Sequence, residues 1–215
     1  MKKKIIILAG DPNSINSEII YKSWKKLNSS IKKRIYIISN YSLLQSQFKK
    51  LNYKIKLEKV RNIDEDNNNK KLKIIDINLN YKDPFNVERK KASKFVLNCL
   101  DLAHSLALES TTAGLVNCAI SKNLLNKQKI GVTEYLASKS SLKNDSEVML
   151  IKNNKLSVSP ITTHINIKDI SRKLKKELII NKVKTIEFWY KKKLKKKAKM
   201  AILGLNPHNA ELRAT

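Results

Sequence analysis

Cysteine, arginine and aromatic side chains are all scarce in this chain of 215 residues, and it has no long hydrophobic run. The two cysteines, Cys99 and Cys118, have no CxxC spacing and each sits in an apolar stretch. They read as small buried hydrophobes in a reducing, cytoplasmic compartment. Aromatics make up only 6% of the residues, so aliphatic side chains must build the core. No apolar run approaches the length needed to cross a membrane. The opening, Met1-Lys2-Lys3-Lys4 followed by Ile5-Ile6-Ile7-Leu8-Ala9, imitates a signal peptide, but Gly10-Asp11-Pro12 stops it at once. A buried first strand is the expectation. Arginine occurs only at Arg34, Arg61, Arg89, Arg172 and Arg213, although the formal net charge is +27. Nucleic-acid sites concentrate arginine, whose planar fork holds phosphates and bases bidentately. The lysine excess therefore reads as a bias that fills exposed positions. Non-specific, salt-sensitive adhesion to polyanions is expected whatever the function.

Hydrophobic residues make up 41% of the chain, enough for one large domain. The pattern predicts strands over residues 5–9, 34–39, 54–60, 72–77 and 114–120. It predicts helices over 17–27, 42–51 and 86–109. Residues 62–71 form a polar insertion. A hairpin is expected from 147–151 and 155–163 across Asn153-Asn154. Residues 168–196 read as helix, broken near Ile180-Asn181, and 200–205 as a last strand. Strands alternating with helices argue an α/β fold, a mostly parallel sheet with flanking helices and antiparallel additions.

Few residues are candidates for chemistry. His104 lies inside a helical pattern and reads as a helix-surface or core-edge residue. His164 and His208 each follow a predicted strand, and the carboxyl ends of strands are where α/β sites gather. Two neutral imidazoles there could share a divalent metal, although a catalytic metal takes three protein ligands. Lys122 follows the strand predicted over 114–120 and could bind a substrate anion or move a proton. In so lysine-rich a chain, composition alone also accounts for it. Thr133 and Glu134 follow Gly131 at a helix start, which offers free N–H groups to an anion and equally reads as ordinary helix-start chemistry. The turn Gly10-Asp11-Pro12 serves as well for a ligand loop as for a plain turn.

Taken in order, these segments resemble the 4-hydroxythreonine-4-phosphate dehydrogenase family of vitamin B6 synthesis. That family opens with Gly-Asp/Glu-Pro-x-Gly-Ile-Gly-Pro-Glu, here Gly10-Asp11-Pro12-Asn13-Ser14-Ile15-Asn16-Ser17-Glu18. A strand ending in lysine and a Gly-His-Thr-Glu motif follow, here Ala119-Ile120-Ser121-Lys122 and Gly131-Val132-Thr133-Glu134. Then come Thr162-Thr163-His164 and Gly204-Leu205-Asn206-Pro207-His208-Asn209-Ala210-Glu211. The resemblance implies an isocitrate/isopropylmalate dehydrogenase-like fold spanning 1–215, with a subdivision near 120–135 and truncated at its carboxyl end. It implies NAD and a divalent metal (Zn, Mg or Co) as cofactors, with His164 and His208 as metal ligands. Thr133 is implied to bind a small phosphorylated amino-acid substrate, 4-phosphooxy-L-threonine, and Lys122 to lie near the reacting group. A homodimer is implied, with a second polypeptide as another way to complete the site.

The sequence departs from that pattern at Ser14, Asn16 and Ser17, where the family has two glycines and a proline. Loss of the glycines is expected to cost backbone at positive φ or the close approach of a ligand. Val132 replaces a substrate-binding histidine and cannot donate a hydrogen bond, and the family's third metal histidine lies beyond Thr215. The competing expectation is a non-catalytic basic protein, binding polyanion or nucleic acid on a retained dehydrogenase fold.

Overall fold

The structure is a computed structural model and describes residues 3–64, 70–125, 131–140, 146–163 and 165–206. It divides into two compact units, Met1–Ser140 and Ser141–Thr215.

The first unit is built on five parallel strands: β1 (Lys4–Leu8), β2 (Ile35–Ser39), β3 (Leu57–Val60), β4 (Leu72–Asp76) and β5 (Thr112–Asn117). Their order is β3-β4-β2-β1-β5. Strands buried on both faces read as continuous apolar runs, and every residue of β2 is buried. Alternate side chains feed two cores. Ile6, Leu8, Tyr36, Ile38 and Ile75 point to one, while Ile35, Ile37, Leu72 and Ile74 point to the other.

Helices α1 (Asn16–Lys26) and α3 (Tyr41–Lys50) cover the second core with Ile20, Trp24, Leu44 and Phe48. The short helix α2 (Ser29–Lys32) lies between them in the chain. Helix α4 (Arg89–Leu108) covers the first core with Phe95, Val96, Cys99, Leu100 and Ala103. Burial pushes the Cys99 thiol well above its ordinary range. Asn40 caps α3 by accepting from the Leu43 amide at 2.9 Å, and Asp76 accepts from the Tyr41 amide at 2.8 Å.

Two lysines do not follow the expectation that lysine fills exposed positions. Lys73 is wholly buried and donates to the Lys33 carbonyl at 2.7 Å, with its ammonium 4.2 Å from the Tyr36 ring centre. Lys4, also buried, donates to the Tyr36 hydroxyl at 3.3 Å. A carbonyl and an aromatic face replace part of the lost hydration.

In the second unit β6 (Ile151–Lys152) and β7 (Ser157–Val158) form an antiparallel hairpin. The turn falls where expected, because Asn153 Oδ1 accepts from the Lys155 and Leu156 amides, both at 2.8 Å. Both strands are far shorter than the sequence suggested. Helix α6 (Ile170–Lys173) precedes α7 (Lys176–Trp189), and Tyr190–Leu194 continues as a π-helical turn. The expected break at Ile180-Asn181 is not there. It falls at Leu174-Lys175, where the backbone is extended. The last strand expected over 200–205 is not formed either. Met200, Ile202, Leu203 and Leu205 are exposed, and no described strand pairs with them. An apolar run becomes a strand only where a neighbour accepts its backbone hydrogen bonds.

Candidate functional site

In a parallel sheet a binding crevice opens where loops from two neighbouring strands leave toward opposite faces. Strands β1 and β5 are such a pair. The chain leaving β1 enters α1 on the second core, whereas the chain leaving β5 carries Leu124, Leu125 and Tyr135 into the first. The two loops meet at Gly10. Its φ is +76°, and a Cβ there would lie 2.5 Å from the Ala119 carbonyl oxygen. The Asp11 amide donates to that oxygen at 3.1 Å, and Asn16 Nδ2 donates to it at 2.7 Å.

Neither Ser14 nor Asn16 has positive φ, so the loop lacks the left-handed backbone that glycines would allow there, and side chains hold it instead. Ser14 Oγ donates to the Asp11 carbonyl at 2.7 Å, and Asn16 ties the first loop to the second. Asn13 exchanges two hydrogen bonds with the Val87 backbone, at 2.7 and 2.8 Å. Gln47 Nε2 donates to the Pro12 and Pro84 carbonyls at 2.8 and 2.7 Å. The loop is therefore held from α1, α3 and the segment before α4. Only the small polar residues Ser14, Asn16 and Ser17 hinted at this network.

Lys122 begins a 3-10 turn, Lys122–Leu124, five residues past the end of β5. Its side chain is exposed, while Leu124 and Leu125 are buried beneath it. Helix α4 holds this turn: Ser93 Oγ donates to the Leu124 carbonyl at 2.7 Å and Arg89 Nη2 to the Asn123 carbonyl at 3.3 Å. Cys118, expected to be buried, is only partly so, and burial raises its thiol pKa.

Thr133 is exposed in the first turn of α5 (Val132–Lys139), whose N-cap is Gly131. This helix also packs on α4. Tyr135, buried, donates its hydroxyl to Asp101 Oδ1 at 2.7 Å, and Lys139 Nζ approaches the same oxygen at 3.1 Å. Burial first, and then the Asp101 carboxylate, push the Tyr135 hydroxyl pKa up. His104 Nε2 lies 2.8 Å from Ser140 Oγ, so this histidine is a packing residue, as its helical setting suggested.

These contacts fix a direction. Helix α4 leads from the carboxyl end of β4 to the amino end of β5, so it begins at the carboxyl edge of the sheet. Along α5, Tyr135 meets Asp101 and Ser140 meets His104, so the two helices run the same way. The amino end of α5, with Thr133, therefore points toward the carboxyl edge. Lys122 and Thr133 thus share α4 as a support. Their anchors, Ser93 and Asp101, are about 12 Å apart along it.

His164 and His208 lie outside the described residues. The reasoning that each ends a strand does not hold, since residues 155–163 are strand only at Ser157–Val158 and 200–206 have none. Among the described residues no three His, Cys, Asp or Glu side chains gather as a metal site. No described helix is long and apolar enough to cross a membrane.

Residues 30–214 match the family described as pyridoxal phosphate biosynthetic protein PdxA. The chain is 36% identical over 215 residues to 4-hydroxythreonine-4-phosphate dehydrogenase of Sulfurihydrogenibium sp. (strain YO3AOP1), covering 97% of this chain and 64% of that protein. It is 34% identical over 217 residues to the enzyme of the same name from Aquifex aeolicus (strain VF5), covering 99% and 65%. The 4-hydroxythreonine-4-phosphate dehydrogenase structure from Klebsiella pneumoniae matches with a TM-score of 0.81 at 24% identity, over 97% of this chain and 66% of that one. The Burkholderia phymatum structure of that name matches at 0.82 and 22%, over 98% and 65%. The chain thus spans 64–65% of the length of these two curated relatives. The fold is the expected α/β type, a mostly parallel sheet with flanking helices, isocitrate/isopropylmalate dehydrogenase-like. The family match favours the dehydrogenase reading over that of a non-catalytic basic protein.

Proposed function

Because the chain belongs to the pyridoxal phosphate biosynthetic protein PdxA family, we propose that it serves the NAD-dependent and divalent-metal-dependent oxidation of 4-phosphooxy-L-threonine. The secondary alcohol becomes a ketone, and the resulting β-keto acid loses carbon dioxide to give 3-amino-2-oxopropyl phosphate. The observation that supports this best is the direction of α5. It aims Thr133 and the first-turn backbone N–H groups toward the edge of the sheet where Lys122 also stands, with the Glu134 carboxylate turned back toward Gly131.

Each residue has a physical task in this reading. Thr133 and the first-turn amides of α5 hold an anionic or hydroxyl group of the substrate. The exposed side chain of Lys122 either holds a substrate anion as the ammonium or, as the neutral amine, takes the hydroxyl proton and becomes the ammonium. Val132 supplies no side-chain hydrogen bond, so the backbone of this turn carries more of the recognition. His164 and His208 are the proposed metal ligands, and neutral imidazoles suit zinc or cobalt better than magnesium. When bound, the ion supplies Lewis-acid polarisation of the substrate oxygen, and NAD supplies the hydride acceptor. Two histidines fall short of the three protein donors usual in catalytic sites. The homodimer and the cytoplasmic location belong to the same proposal.

Calorimetric titration with 4-phosphooxy-L-threonine, with and without Zn²⁺, tests it. We expect ion-dependent binding that is weakened by Thr133→Ala and by His164→Ala or His208→Ala. A folded chain that binds the compound equally well with and without the ion, or ignores all three substitutions, contradicts the proposal. NADH formation in the same mixture extends it from binding to turnover.

A further inference from the structure

We infer that Asp101 is a positioning residue that acts through Tyr135 to set the direction in which Thr133 faces. The inference rests on the functional reading of Thr133 given above. Helix α5 has eight residues, too few to hold a fixed orientation without tertiary contacts. Apolar contacts from Val132 and Leu136 seat it against the first core. Such contacts are non-directional, and leave a two-turn helix free to rock about its own axis.

The polar contacts remove that freedom. Asp101 Oδ1 takes the Tyr135 hydroxyl at 2.7 Å and the Lys139 ammonium at 3.1 Å, one turn apart on α5. His104, one turn further along α4, meets Ser140 at 2.8 Å. Residues 133 and 135 are two apart, so they project about 200° from each other around the helix. Tyr135 is 8% exposed whereas Thr133 is on the open side. Holding the buried phenol therefore fixes where the exposed threonine points. The tyrosine is the indicator of the arrangement, since its ring is buried while its hydroxyl reaches out to the half-exposed Asp101 carboxylate.

A double-mutant cycle separates positioning from mere stability. The unaltered chain, Thr133→Ala, Tyr135→Phe and the double variant are titrated with 4-phosphooxy-L-threonine in the presence of Zn²⁺. Asp101→Ala and Asp101→Asn are titrated beside them. Amide hydrogen exchange of α5 is followed in each. Tyr135→Phe and Asp101→Ala are expected to weaken binding about tenfold and to speed exchange in α5. Asp101→Asn keeps an acceptor for the phenol, and should restore most of the affinity. In the Thr133→Ala background, Tyr135→Phe should cost no further affinity. Equal losses from Tyr135→Phe with and without Thr133 overturn the inference, as does unchanged exchange in α5. An unaltered chain that binds no 4-phosphooxy-L-threonine overturns the functional reading, and the role of Thr133 with it. Intact binding that is indifferent to Asp101→Ala overturns the Asp101 role alone.

Discussion

Between Met1 and Ser140 a parallel sheet is covered on both faces, and Ile6, Leu8, Ile38, Ile74, Val96 and Leu100 have no measurable exposure. Between Ser141 and Thr215 no described residue is buried. The two units draw on the same Ile-, Asn- and Lys-rich composition, so composition does not explain the contrast. Partnering does. In the first unit every core strand has a neighbour that accepts its hydrogen bonds and a helix that covers its side chains. In the second, α7 carries Ile179, Val183 and Ile186 at helical spacing and Tyr190 follows in the π-helical turn, yet each is only partly buried. Polar ties from Lys182 to the Glu147 carbonyl at 2.7 Å and from Thr185 to the Ser146 carbonyl at 3.1 Å hold this helix to the segment before β6. Ile167, 87% exposed, and Leu203, 85% exposed, contribute no core at all.

Paired substitutions can break that contrast. Phe95→Ala in the first unit should cost about 3–5 kcal/mol, because it empties a filled site between α4 and the sheet. Phe188→Ala in the second should change stability by no more than about 0.5 kcal/mol, since that ring is exposed. Urea unfolding followed by circular dichroism measures both, and equal costs would abolish the distinction. Gly10→Ala is next in size. It forces a Cβ into the left-handed region and against the Ala119 carbonyl, at a cost of at least about 2 kcal/mol. A neutral outcome in the same denaturant series would show that the β1 and β5 loops are not locked together.

The smallest effect is electrostatic. The Phe85 amide, followed by Lys50, holds the Asp83 carboxyl below its ordinary 3.8. A depressed carboxyl pKa contributes stability that is fully present above the ordinary value and is lost as pH falls through the folded one. The contribution of Asp83 should therefore fade only below about pH 3.8. Lys50→Ala should raise its midpoint part of the way, because the larger cause, the Phe85 amide, stays in place. A carboxyl NMR titration reads both. A midpoint at the ordinary value in the unaltered chain would contradict the assignment.

The same contrast explains which parts of the molecule could be read from sequence. Residues 5–9 and 200–205 look alike as short apolar runs, yet only the first has strands on both sides. Nothing local distinguishes them. The break at Leu174-Lys175 has neither glycine nor proline to announce it, while Asn181 suggested a break that packing does not require. Lys122 and Thr133 were found through ordered motifs, and α4 shows what holds them. Asp101 and Tyr135 carry no such signal, because a hydrogen bond spanning 34 residues leaves no periodic trace. In the sequence Asn16 stands only as a missing glycine, because its role depends on the Ala119 carbonyl of a distant loop.

Native-state amide hydrogen exchange in low denaturant tests the central contrast most directly. Amides of β1, β2, β4 and α4 should exchange only through cooperative unfolding of the first unit. Those of α7 and the β6–β7 hairpin should exchange through local opening, faster and with little denaturant dependence. If the α7 amides proved as protected as those of β2, with the same dependence on denaturant, the two units would be one cooperative body and the account would be wrong.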